Sequence, residues 1–242
     1  MLLEEAARRG LLGGLVADHD AHSTAFAAAV GAIVAQRRSI EGVGPTDPET
    51  DRPSPRAVRP TLADIGSGAG VPGLVLAESL PEVAVTLIDR REGRASWLEE
   101  AAAALSSEGL RIRVWCADVY DLAHGEARAS FDLVTARAFD TPAVTAELGG
   151  ALLGVGGVLL VSEPPEAPHR WDEVDLVGLG LVDEGPMIVE MTAGEEAVTG
   201  DRGAAGRRPD GGGRQVHFRR LARHRPLADG RPRRKPRRVR FT

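Results

Sequence analysis

A single cysteine, Cys116, in 242 residues leaves no internal disulfide open to the chain and points to a reducing, cytoplasmic compartment. Cys116 closes an apolar stretch and has no evident partner for nucleophilic work, so it reads as a plain core residue. Long apolar runs are missing too. The longest, Phe26 to Ala35, is roughly half of what a helix needs to cross a bilayer. No basic-then-apolar leader opens the chain, so neither a membrane partner nor secretion is expected. Lysine is almost absent beside abundant Arg, Ala and Gly, a bias that says more about the genome than about the fold. There is no internal repeat.

What is present suits one substantial core with short additions. The net charge of -5 conceals an asymmetry: half of the 30 Arg and Lys lie from Arg202 onward, opposed only by Asp210 and Asp229. The body is acidic and the tail basic. A run such as RHRPLADGRPRRKPRRVRF suits either an arm that neutralises phosphates or a solubilising tail.

Leu2 to about Arg38 is rich in Ala and Leu with polar breaks near Asp18 to Ser23, which predicts two short helices. Gly42 to Pro60 collects Gly, Pro, Asp, Thr and Ser without periodicity, as a linker does. From Thr61 strands and helices alternate. Strands are expected at Thr61–Ile65, Ala84–Ile88, Arg111–Cys116, Phe131–Thr135 and Val158–Val161, and helices at about Gly73–Leu80, Gly93–Ser106 and Pro142–Leu153. This is the order of a doubly wound α/β sheet, Rossmann-like, with helices on both faces. Leu181–Met191 and Arg214–Leu221 are expected to pair antiparallel at its edge across a Gly-rich stretch. The expected organisation is residues 1–60 as N-terminal helices and linker, 61–222 as the catalytic domain, and 223–242 as a basic tail.

The first strand runs into Asp64-Ile65-Gly66-Ser67-Gly68-Ala69-Gly70-Val71-Pro72-Gly73. Closely spaced glycines let the backbone turn sharply and approach a ligand, and the next helix offers its free amides. Gly68, Gly70 and Gly73 also fit a dinucleotide G-x-G-x-x-G with Asp89 about twenty residues on. Three features favour S-adenosylmethionine. Asp64 stands where dinucleotide sites carry an apolar residue, and a carboxylate there suits the ammonium of an amino-acid ligand. Asp89 follows the second strand, placed for ribose hydroxyls. Ala117-Asp118 follows the third, where the acid suits an adenine amino group, although Asp is also a common helix cap. His19 and His22, flanked by Asp18 and Asp20, lack a second cluster that would make a metal site and read as a polar interhelical turn.

These segments resemble the bacterial small-subunit (16S) ribosomal RNA methyltransferase G family, also called glucose-inhibited division protein B. DIGSGAGVPG is similar to that family's D-[IVL]-G-[ST]-G-x-G-[FVL]-P-G. LIDRREGRASWLEE resembles its acid, loop, Arg and aromatic-Leu helix, and FDLVTARAF its fourth strand followed by Arg-Ala. The resemblance implies a class I S-adenosylmethionine-dependent methyltransferase acting on N7 of a guanine in 16S ribosomal RNA, with that RNA or the small ribosomal subunit as partner and no metal. It implies that Gly66, Val71, Asp118, Val119 and Arg137 touch the cofactor, joining Asp64, Gly68, Gly70 and Asp89. No catalytic residue is expected, because guanine N7 carries a free lone pair and no proton to remove. Arg137 is expected to hold an anionic group through its planar fork. The alternatives are a diverged methyltransferase of another RNA or a small molecule, a dehydrogenase, or a non-catalytic RNA-binding relative. Two departures stand out. The family's Asn-Leu-Thr and Arg-His-x-x-Asp-Ser patterns are not visible before Pro60. Its Leu-Lys-Gly-like turn after the fifth strand is Val161-Ser162-Glu163-Pro164-Pro165 here, read as a rigid turn.

Overall fold

The computed structural model describes residues 2–40, 59–106, 109–165, 169–191, 214–227 and 231–232. The linker before Arg59, the Gly-rich stretch 192–213 and most of the basic tail lie outside the described residues. The elements are α1 (Leu2–Arg8), α2 (Val16–Ile40), β1 (Thr61–Ile65), α3 (Gly73–Ser79), β2 (Ala84–Asp89), α4 (Glu92–Leu105) and β3 (Ile112–Cys116). Then follow α5 (Val119–His124), β4 (Phe131–Ala136), α6 (Pro142–Leu152), β5 (Leu153–Glu163), β6 (Leu181–Met191) and β7 (Arg214–Arg223).

The strands form one sheet in the order β3-β2-β1-β4-β5-β7-β6. β1 to β5 are parallel, and β7 inserts antiparallel between β5 and β6. Because side chains alternate along a strand, each central strand feeds two cores. Leu62, Leu87, Leu133, Leu160 and Phe218 pack under α1 to α4, while Ala63, Ile65, Val134, Leu159 and Leu221 pack under α5 and α6. The near-continuous apolar runs of β1, β2 and β4 follow from burial on both sides.

Three expectations are corrected. The break between the N-terminal helices falls at residues 9–15, not at Asp18 to Ser23, because Gly10 and Gly14 take φ of +71° and +83° there. The polar residues instead ride inside α2, where Ser23 and Thr24 donate to the carbonyls of His19 and Asp20 at 2.7 and 3.0 Å. His19 and His22 therefore belong to a helix rather than to a turn. Cys116 is exposed, since β3 is the sheet's outer strand and Cys116 its last residue.

Helix α2 is fastened to the far side of the sheet. Phe26 is fully buried, and its ring meets that of Phe218 on β7 edge-on, centroids 4.6 Å apart. Arg220 donates to Gln36 at 3.1 Å, and Arg37 pairs with Asp132 on β4 at 3.5 Å. No helix among the described residues is long and apolar enough to cross a membrane. Phe26→Ala is expected to cost about 3–5 kcal/mol in urea unfolding, as a ring removed from a close-packed core does. Val182→Ala, at an exposed position on β6, is expected to stay within about 0.5 kcal/mol. Equal effects would mean that α2 does not share the sheet's core.

Candidate active site

Strand order reverses between β1 and β4, and the C-terminal ends of an open α/β sheet bind ligands at such a point. The glycine turn leaves β1 there, and Arg137 leaves β4. The turn is tied to the neighbouring strand: the amides of Gly66 and Ser67 donate to the Ile88 carbonyl at 2.9 and 3.0 Å. Ser67 Oγ donates to the Asp64 carbonyl at 2.8 Å and accepts from the Ile88 amide at 3.0 Å. The Trp97 indole donates to the Ala69 carbonyl at 3.0 Å, fixing α4 to the same turn. Gly70 adopts φ +94°, and a Cβ there would stand 2.2 Å from Leu74 Cδ1, so both backbone and packing demand glycine. At Gly66, φ +71°, a Cβ would strike the Phe139 ring at 2.9 Å.

Asp64 is buried at the end of this turn. Its register partner on β4 is Thr135, whose hydroxyl donates to Oδ1 at 2.8 Å. Oδ2 lies against Gly73 at the start of α3, and no hydrogen bond of full geometry closes on it. Burial pushes the carboxyl up to about 6 from its ordinary 3.8. The Thr135 and Ser67 hydroxyls, the Gly73 amide and the Arg137 charge oppose that rise without cancelling it.

Asp89, also buried, ends β2. Its Oδ2 accepts from the Gly68 amide at 3.0 Å and lies 3.5 Å from Arg94, and its Oδ1 accepts from the Arg91 amide at 2.9 Å. Asp118 caps α5, accepting from the Tyr120 amide at 3.0 Å, and lies 4.0 Å from Arg90. Its neighbour Val119 is buried, while Val71 and Gly68 are half-buried and Gly66 is exposed. Arg137 is half-buried and its Nη2 meets His19 Nδ1 at 2.6 Å. His19 Nε2 meets the Gly13 carbonyl at 2.5 Å, so the Nε2–H tautomer serves both contacts, donating to Gly13 and accepting from Arg137.

The switch point therefore gathers Asp64 with the glycine turn, Asp89 and Arg137 from three separate stretches of chain. Residues 54–167 match the sequence profile of the family described as rRNA small subunit methyltransferase G. That stretch is similar to this family, and it makes up a little under half of the chain. All nine expected site residues fall inside it, whereas α1, α2, β6 and β7 fall outside. The ribosomal RNA small subunit methyltransferase G of Stenotrophomonas maltophilia K279a is 34% identical over 50% of this chain and 58% of its own. That of Clavibacter sepedonicus is 34% identical over 53% and 65%, and that of Xanthomonas campestris B100 is 39% identical over 44% and 48%. The chain thus spans 48% to 65% of the length of these curated relatives. Among solved structures, the 16S rRNA (adenine(1408)-N(1))-methyltransferase D21A mutant from Catenulisporales acidiphilia gives a TM-score of 0.45 at 17% identity. It covers 69% of this chain and 89% of that one.

The contacts of Thr135 with Asp64 and of His19 with Arg137 were not among the expectations. Thr135 carried a signal, since a polar residue inside an otherwise apolar strand needs a partner. His19 carried none, because its contact with Arg137 joins residues 118 positions apart. The raised Asp64 carboxyl has a measurable consequence. The folded protein holds this proton more tightly than the unfolded chain, so stability is full below about pH 4 and falls as pH rises towards 6. Asp64→Asn is expected to remove that fall, gaining about 3 kcal/mol over the native protein at pH 7 and almost nothing at pH 3.5. Urea unfolding of both proteins across this range checks it, and a difference independent of pH refutes the assignment.

Proposed function

We propose that this chain is an S-adenosylmethionine-dependent methyltransferase that modifies N7 of a guanine in 16S ribosomal RNA, in the cytoplasm. Residues 61–222 would be the transferase unit, 1–60 its covering helices and linker, and 223–242 a basic arm for RNA. The observation that carries the reading is Asp64, a buried carboxylate with no full hydrogen bond on Oδ2, set at the switch point of a sheet in the stretch that matches this family.

The donor set fits a nucleoside bearing an amino acid. Asp64 would hold the ammonium, whose charge would favour the ionised carboxyl against the burial that raises its proton affinity. Gly66, Gly68, Gly70 and Val71 form the turn that lies along the ligand. Asp89 accepts an amide on each oxygen and faces Arg94 with Oδ2, and the remaining lone pair of Oδ1 would be the one open to a ribose hydroxyl. Asp118 and Val119 would face the adenine, and Arg137 a carboxylate or an RNA phosphate. S-adenosylmethionine supplies an electrophilic methyl group on a sulfonium. The residues' own work is to orient the two partners and keep water out, and positioning alone removes several kcal/mol of barrier. No side chain need take a proton, since guanine N7 has none.

Calorimetry should show micromolar binding of S-adenosylmethionine, weakened in Asp89→Ala by about 1.5–3 kcal/mol for each charge-assisted bond lost. Mass spectrometry of 16S ribosomal RNA should lose one 7-methylguanosine when the gene is deleted. Absence of cofactor binding would sink the proposal.

The arm can be tested separately. Arg231 and Pro232 are already anchored: Arg128 and His124 reach their carbonyls at 2.6 and 2.8 Å, and the Arg231 side chain pairs with Glu147 at 3.2 Å. Deleting residues 233–242 is therefore expected to spare the fold and cofactor binding, weaken RNA binding across sequences, and flatten the dependence of log affinity on log salt. Parallel salt slopes would make the arm a solubilising tail.

A further inference from the structure

Beside the glycine turn lies a cleft lined by Phe139 and Thr145 from the β4–α6 side and by Ser162, Glu163, Arg170 and Trp171 from the β5 side. It adjoins the switch point directly. Ile65 pairs with Ala136, Ala136 pairs with Val161, and the Phe139 ring that forms one wall is the ring packed on Gly66. Two polar atoms among its lining residues are buried without a hydrogen bond, Glu163 Oε1 and Trp171 Nε1. The Glu163 side chain is 10% exposed, and its other oxygen is held by Arg170 at 3.2 Å. An ion pair alone would orient that carboxylate but would leave Oε1 unsatisfied, a costly arrangement for a buried acid. Trp171, almost wholly buried, repeats the pattern with an unmatched donor.

We infer that this cleft is the pocket for the target base and that Glu163 selects guanine by accepting hydrogen bonds from its N1–H and N2 amino group. The inference rests on the methyltransferase reading for its role but on Glu163 and Trp171 for its content. Guanine presents two donors, N1–H and N2–H, beside one acceptor, O6. An unpaired carboxylate oxygen and an unpaired indole N–H are the complementary set. Adenine turns a lone pair at N1 towards the same carboxylate and is repelled. Held by that edge, guanine leaves N7 on the opposite side of the ring, free to face the glycine turn. Pro164 and Pro165 follow Glu163 directly and fix the backbone that carries it.

The probes are guanosine, inosine and adenosine 5′-monophosphates, titrated against the full chain with saturating S-adenosylmethionine and read by tryptophan fluorescence and ligand-observed NMR. Guanosine monophosphate should bind about tenfold more tightly than the inosine nucleotide, which lacks the N2 amine, and more tightly still than the adenosine nucleotide. Glu163→Gln should bring the guanosine and inosine nucleotides within about twofold of each other, while S-adenosylmethionine affinity and the melting temperature hold. Native protein that binds none of the nucleotides, or binds guanosine and adenosine monophosphates equally, overturns the inference whether or not the variant folds. So does a guanine preference that survives in the variant. Guanine preference without S-adenosylmethionine binding would instead sink the methyltransferase reading and leave the pocket standing.

Discussion

Everything at the switch point is arranged around a carboxylate that water cannot reach. Burying Asp64 costs free energy, and the neighbouring structure offsets only part of it: a hydroxyl from the adjacent strand, a second hydroxyl from the turn and an amide at the start of α3. Each of those groups is held by something else. Thr135 stands where it does because β1 and β4 pair in a register that sets it opposite Asp64. Ser67 stands where it does because the turn is bonded to the end of β2. Gly73 can approach because it has no Cβ, which would meet Leu87 at 2.2 Å and Asp64 Oδ2 at 2.7 Å. Sheet register, turn geometry and helix placement thus converge on one residue.

The residues outside the matched stretch bear on the same point. Arg137 contributes a favourable charge to Asp64 and is itself met by His19 of α2. α2 in turn rests on β7 through Phe26 and Phe218, with the His22 ring alongside both. A part of the chain with no family signature of its own thereby stands one contact from the site.

Much of this was legible in the sequence, for physical reasons. The strands buried on both faces announce themselves as apolar runs, and the glycine turn is forced by backbone angles that other residues rarely take, so β1 to β4 and the turn fall within a residue of expectation, whereas β5 begins at Leu153, well before the expected Val158. β6 and β7 were readable as an edge pair, but not that β7 would enter between β5 and β6. Failures came where a residue's setting depends on distant chain. Cys116 looked apolar and interior, yet β3 lies at the sheet's rim. Asp18 to Ser23 looked like a break because their polarity was visible and their return bonds to α2 were not. Asp118 was ambiguous between cap and ligand, and its bond to the Tyr120 amide gives it the cap at least. Glu163 passed for a turn residue, since nothing local reveals that it lies nine-tenths buried with an oxygen to spare.

The contact between α2 and β7 also orders events in time. Gln36 and Arg220 are separated by 184 positions, so the helix leaves the ribosome long before the strand it leans on. Contacts of such high sequence separation form late and slow the folding that depends on them. Until β7 arrives, Phe26 has no ring to meet and α2 lacks part of its seat. The histidine that steadies Arg137 rides on that same helix. A nascent chain that has already closed the parallel strands around Asp64 would therefore hold an incomplete site, finished only when the last described strand docks.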